Sequence, residues 1–113
     1  MLVKKVSYYD YFKEEEKTVI EKATFSDFLR EFKIHNRNYV FSSKGKVALF
    51  NYLDELEETI ELDVIAICRK FTEFEDLTEF NSYYGCELDS IEEISLFTTV
   101  IPIDDEAFII RDF

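Results

Sequence analysis

The stretch Ile60-Glu61-Leu62-Asp63-Val64-Ile65-Ala66-Ile67-Cys68-Arg69-Lys70 decides how this 113-residue chain is read. It is rich in β-branched residues, and Val64 to Cys68 is apolar at consecutive positions, so it is expected to be a central strand covered on both faces. Ile65 falls in its middle, and truncating that side chain is expected to open a core cavity. Downstream, Thr98 to Ile103 and Ala107 to Arg111 flank Asp104-Asp105-Glu106, which is a hairpin signature. Pro102 suits an edge or a strand end there, because it has no N–H to donate. The expected class is α+β: a small antiparallel sheet built on Ile60–Lys70 and the C-terminal β-hairpin, with short helices packed on one face.

Working outward, Leu2 to Phe12 alternates loosely with Val and Tyr, and Lys13-Glu14-Glu15-Glu16-Lys17 separates it from Thr18-Val19-Ile20. A β-hairpin with a charged tip is expected, with a helix through Glu14 to Ile20 as the rival. Thr24 with Asp27 forms a capping box in which Asp replaces Glu, and Phe25, Phe28, Leu29 and Phe32 follow at helical spacing, ending near His35. Ser42 or Ser43 caps a second helix whose stripe is Leu49, Tyr52, Leu53 and Leu56. Asp76 with Glu79 opens a third helix closed by Gly85, and Ser90 with Glu93 gives a capping box for one further short turn. Two glycines and one proline leave little material for a linker, so residues 1–113 are expected to form a single acidic domain.

Charge is distributed unevenly. Asn51 to Phe113 carries eighteen acidic and three basic residues, whereas Met1 to Phe50 carries seven acidic and ten basic, for a net charge of −12. With hydrophobic residues at 47% and twelve Phe, the chain is too apolar and too aromatic to be a disordered acidic tail. Uncompensated like charge costs stability, and a cationic partner surface would relieve it. Cys68 and Cys86 are too few for a disulfide framework or a zinc site, and Cys68 is expected to be a small core residue. No signal-peptide core and no membrane-length apolar run is visible, so a cytoplasmic protein in a reducing setting is expected.

Enzymatic motifs are lacking. His35 is the only histidine and has no nearby nucleophile, and Lys44-Gly45-Lys46 lacks the spacing of a phosphate loop. Asp104-Asp105-Glu106 lacks the ordered oxygen ligands of a calcium loop. A non-enzyme is expected, with no cofactor and no metal. Acidic clusters recur at Asp54 to Asp63, Glu73 to Glu79, Glu87 to Glu93 and Asp104 to Glu106. Carboxylates at i, i+4 on a helix stand about 5–6 Å apart, close to the spacing of successive phosphates, so a folded scaffold can imitate a nucleic-acid strand. The expected partner-binding residues are Asp54, Glu55, Glu58, Glu73, Glu75, Asp76 and Glu79, with Phe50, Phe74 or Tyr84 as exposed aromatic anchors. Asp54, Glu55 and Glu58 lie off the apolar stripe and are expected to be replaceable without loss of fold.

Ala48-Leu49-Phe50-Asn51-Tyr52-Leu53 through Leu56-Glu57-Glu58, then Ile60 to Cys68, then Phe71-Thr72-Glu73-Phe74, resembles a family of small acidic proteins of bacteriophages and mobile elements. Thr98-Thr99-Val100-Ile101-Pro102-Ile103 with Phe108-Ile109-Ile110 is similar to that family's C-terminal hairpin. The resemblance spans about Ser42 to Phe113 and leaves the first forty residues outside it. Arg69 stands where the family carries a second cysteine, and the acidic turn before Ile60 is shorter here. The resemblance implies a counter-defence setting. It points to a host nucleic-acid-binding defence protein, such as a CRISPR effector or restriction nuclease, as the partner. The chain itself is expected to bind neither nucleic acid nor membrane, and a homodimer is one way to pair its basic N-terminal residues with its acids. The competing expectation is an assembly factor that binds through an apolar or aromatic patch without mimicry.

Overall fold

The computed structural model describes residues 1–113 and has an α+β architecture. Strands β1 (Leu2–Asp10) and β2 (Glu15–Lys22) form the expected N-terminal hairpin, and the rival helix is absent. A two-residue strand β3 (Ile60–Glu61) adds parallel to β1, giving a sheet in the order β2-β1-β3. A second sheet runs β4 (Phe71–Phe74), β6 (Phe108–Arg111), β5 (Val100–Pro102), antiparallel throughout.

The stretch expected to be the central strand is mostly helix. After Glu61 the chain turns, the Asp63 carboxylate accepts the Ala66 N–H at 3.1 Å, and α3 runs Val64–Lys70. Three features favour helix over strand. Asp63 is an N-cap, Arg69 and Lys70 sit in the last turn where cations suit the helix dipole, and the buried pair Val64 and Ile67 has i, i+3 spacing. Consecutive apolar residues read equally well as either element, and here the cap breaks the tie. Ile65 is accordingly half-buried and not a core centre, and Cys68 is half-buried against the core, where burial pushes its thiol pKa up. The strand expected within Ile60–Lys70 is replaced by β4, which follows α3 without a gap.

Side chains alternate across the second sheet, and this alternation organises the whole body. Phe71, Ile101 and Ile109 point to one face and join Phe28 and Phe32 of α1 (Phe25–Ile34), Leu49 and Leu53 of α2 (Ser43–Glu55), and Val64 and Ile67 of α3 in the main core. Phe74, Phe108 and Ile110 point to the other face and pack with Phe80 of α4 (Leu77–Tyr84) and Ile94 of α5 (Ile91–Ile94). Helices therefore cover both faces of this sheet, where only one covered face was expected. Sequence neighbours such as Ile109 and Ile110 are both fully buried yet belong to different cores.

Local chemistry sets the helix ends. Thr24 and Asp27 make the expected capping box: the Thr24 hydroxyl accepts the Asp27 N–H at 3.1 Å, and the Asp27 carboxylate accepts the Thr24 N–H at 2.8 Å. Ser42 caps α2 by accepting the Gly45 N–H at 2.9 Å. Gly45 also makes room for a carboxylate, because a Cβ there would clash with Glu73 Oε1. Ser90 occupies the N-cap position of α5 but makes no side-chain cap bond, so the expected Ser90–Glu93 box does not form. Gly85 ends α4 at φ 64°, in left-handed backbone, with open space on the side where a Cβ would stand. Gly85→Ala is therefore expected to lower stability by about 1 kcal/mol through backbone strain alone, read as a shifted denaturant midpoint with an unchanged slope.

Candidate partner-binding surface

Residues 71–110 contain eleven carboxylates and no Lys, Arg or His. None of the six ion pairs of the molecule falls among them. This segment supplies the whole second core, together with Phe71, Ile101 and Ile109 of the main core, and its turns and helix ends are fixed by local bonds. Asp76 caps α4 by accepting the Glu79 N–H at 2.8 Å, while Glu79 reaches back to accept the Glu75 N–H at 3.0 Å. Asn81 ties down the turn after α4: its Oδ1 accepts the Leu88 N–H and its Nδ2 donates to the Leu88 carbonyl, both at 3.0 Å. At the β5–β6 turn the Asp104 carboxylate accepts the Glu106 and Ala107 N–H groups at 2.9 and 2.7 Å. Those backbone donors hold its pKa below the ordinary carboxylate value.

Carboxylates of this segment also gather at the surface. Asp76, Asp89, Glu92, Asp105 and Glu106 line one shallow concavity together with no cation. The Asp89, Glu92 and Asp105 carboxylates accept no hydrogen bond; Glu92 is engaged only through its backbone carbonyl, which accepts from the Ser95 hydroxyl at 2.5 Å. Elsewhere on the same lobe lies an aromatic patch. Tyr84 stacks on Phe113 with ring centroids 5.3 Å apart, and Phe113 lies 6.4 Å from Phe97. Tyr83 meets Tyr84 edge-on at 4.9 Å. Tyr83, Phe97 and Phe113 are each more than 60% exposed, which is uncommon for large apolar side chains grouped in one place, and Leu96, beside Phe97 in the chain, is exposed as well. Partial burial, then the nearby Asp112 carboxylate and the Tyr83 hydroxyl, raise the Tyr84 pKa, so its hydroxyl stays a neutral donor.

No family model, curated protein or solved structure matches the chain. No group of three or more His, Cys, Asp or Glu side chains has a metal-holding arrangement. No helix is long and apolar enough to cross a membrane.

The residues singled out in the sequence divide between two places. Glu73 accepts the Ser42 N–H at 3.0 Å, at the start of α2, while Asp54 lies in that helix's last turn. Twelve residues of helix, about 18 Å, separate those points, so Asp54, Glu55 and Glu58 do not share a surface with Glu73, Glu75, Asp76 and Glu79. Several of these acids also have internal work. Asp54 accepts the Leu2 N–H at 3.3 Å and lies 3.8 Å from Lys22, so it is less replaceable than Glu55 and Glu58, which are exposed. Phe74 is not an exposed anchor: it is 2% exposed at the centre of the second core. Phe50 is half-buried, with Phe25 and Phe28 each at 5.4 Å, and belongs to the main core's margin. Of the three aromatic candidates only Tyr84 reaches the surface patch. Tyr83, Leu96, Phe97 and Phe113 were not found from the sequence, because their periodicity does not distinguish a rim from a core.

Proposed function

We propose that this protein is a non-enzymatic inhibitor that occupies a basic, phosphate-holding groove on a nucleic-acid-binding defence protein of a host cell, acting in that cell's cytoplasm. The observation that carries this reading is the run of eleven carboxylates in residues 71–110 without a single internal cation. Lys and Arg side chains that normally hold phosphates are the natural counter-charges for such a surface, and steering by an unbroken potential speeds their encounter. The aromatic patch supplies anchors: Phe97, Phe113 and Tyr83 take the role expected of Phe50 and Phe74. A CRISPR effector or restriction nuclease fits the resemblance to small acidic phage proteins. The net charge of −12 opposes binding of the chain itself to DNA or RNA.

The test uses host protein captured on the immobilised chain, and measures its affinity against salt. Affinity is expected to fall steeply with rising salt, and free DNA is expected to displace the chain. Changing Asp89, Glu92 and Asp105 together to Asn, Gln and Asn is expected to weaken the complex about tenfold and flatten the salt slope. The circular dichroism spectrum should stay the same, since these side chains hold nothing inside the fold. An affinity indifferent to salt and to the triple change, but lost in Phe97→Ala, would instead establish the second reading, an assembly factor working through the aromatic patch. That reading rests on the exposure of this patch.

A further inference from the structure

We infer that the chain forms a twofold dimer in which the free edge of β2 pairs, antiparallel, with the same edge of a second copy. The β1–β2 ribbon is an arm that lengthens the molecule to 63 Å, against 28 and 21 Å across. From Ser7 to Thr18 its side chains are exposed or half-exposed on both faces, and Tyr11 and Phe12 at the tip are 82% and 101% exposed. A two-stranded ribbon without a covering layer is marginal in water. On one side β1 is sealed by β3 near its base, while β2 has no neighbour on its outer side.

The ladder fixes which groups of β2 face outward. Ala23 donates its N–H to the Leu2 carbonyl at 2.9 Å, and the register continues as Val3 opposite Lys22 through Asp10 opposite Glu15. Hydrogen-bonded pairs alternate along an antiparallel ladder. Ala23, Glu21, Val19, Lys17 and Glu15 therefore direct their backbone groups to β1, and Lys22, Ile20, Thr18 and Glu16 direct theirs outward. Any ladder to a second β2 must bond these four residues to one another, which permits only twofold registers centred on a residue.

Among those registers the charges select one. Centred on Val19, Glu16 stands opposite Lys22, Lys17 opposite Glu21, and Thr18 opposite Ile20, so every charged residue from 16 to 22 meets its opposite and each match occurs twice. Centred on Thr18, Glu15 meets Glu21, and centred on Ile20, no charge is matched. Opposite charges across a ladder favour pairing and like charges oppose it. Lysines on an edge ordinarily guard against association, but here the signs reverse on passing through Val19, so the guarding residues admit a copy of themselves. The β5 edge shows the contrast. The Thr99 carbonyl accepts from Arg111, and Ile103 donates to the Ala107 carbonyl, so Val100 and Pro102 face outward, and Pro102 has no N–H to offer.

Two further features fit a second copy as the occupant. The arm, Lys4 to Lys22, carries five basic and five acidic residues, so two arms approach without the repulsion that the rest of the molecule would bring. In the Val19-centred register each turn also extends past Lys22 of the second copy to the start of that copy's α1, so that the exposed Tyr11 and Phe12 lie against protein in place of open solvent. Existing ion pairs are weak obstacles: Lys17 is 3.3 Å from Glu15 and Lys22 is 3.8 Å from Asp54, all on exposed or half-exposed side chains.

Sedimentation equilibrium of the intact chain is expected to give twice the single-chain mass of 13.5 kDa at about 100 µM. Ile20→Pro removes an outward donor while sparing the bonds to β1, and is expected to give a monomer. Lys17→Glu is expected to raise the dissociation constant about tenfold, and Lys17→Glu combined with Glu21→Lys to restore it. A single-chain mass throughout, or a dimer unmoved by Ile20→Pro, or a charge reversal that the second reversal fails to rescue, would each overturn the proposal. Should Ile20→Pro unfold the arm, the charge-reversal pair decides.

Discussion

Phe74→Ala is expected to abolish partner binding by unfolding the acidic lobe, with a loss of about 3–5 kcal/mol in stability, the range for truncating a buried aromatic ring. Phe74 is 2% exposed, and its ring lies 5.3 Å from Phe80, 5.6 Å from Tyr83 and 5.7 Å from Phe108. The second core has only five fully buried side chains, so there is little else to close over the void. A loss of this size is a large share of the stability of a small domain. Phe97→Ala, at a position 64% exposed, is expected to leave the melting temperature within a few degrees while weakening the complex. The pair separates a residue that builds the surface from one that belongs to it. A Phe74→Ala protein that melts like the parent would show that the lobe does not depend on this core.

Asp27→Asn is expected to cost about 2 kcal/mol and to remove most of the acid sensitivity of the fold. Asp27 is buried, and its carboxylate accepts from the Thr24 N–H at 2.8 Å, Lys4 Nζ at 2.9 Å and Arg30 Nη2 at 2.6 Å. The Thr24 backbone bond, then the Lys4 bond, hold its pKa well below the ordinary aspartate value. Lys4 is 28% and Arg30 58% exposed, so water screens part of the charge interaction. Because the folded pKa is depressed, the contribution is complete above the unfolded pKa of about 4 and is lost progressively as pH falls below it. Parent stability is therefore expected to drop between about pH 5 and pH 2, and the Asp27→Asn curve to be flatter over that window. Lys4 lies on β1 and Asp27 at the start of α1, so the same cluster fastens the base of the arm to the body. Equal pH dependence in parent and variant, followed by denaturant unfolding, would show that other carboxylates set the acid response.

Features whose causes lie within a few residues of one another are legible in the chain alone. Thr24 with Asp27, Asp76 with Glu79, and Gly85 announce helix ends because the bonding partners are three or fewer positions apart, or because one residue's backbone suffices. The two hairpins were equally legible, since turn residues and flanking alternation are local, and Pro102 does lie on an edge strand. The charge asymmetry needs no structure at all. Other features depend on contacts between distant parts of the chain. Val64 to Cys68 satisfies both helix and strand on its own; Asp63 as cap and Arg69 and Lys70 in the last turn are local marks of a helix, and the packing of Val64 and Ile67 onto the main core decides which of its faces is buried. Phe74 and Phe97 are alike as residues, yet one is enclosed by α4 and β6 while the other remains on the rim. The carboxylates are likewise alike in sequence, but Asp54, Glu73 and Asp104 are bound to backbone N–H groups and Asp89, Glu92 and Asp105 are not. Burial and bonding depend on what lies opposite in space, and that is set by contacts between residues far apart in the chain, which no local pattern encodes.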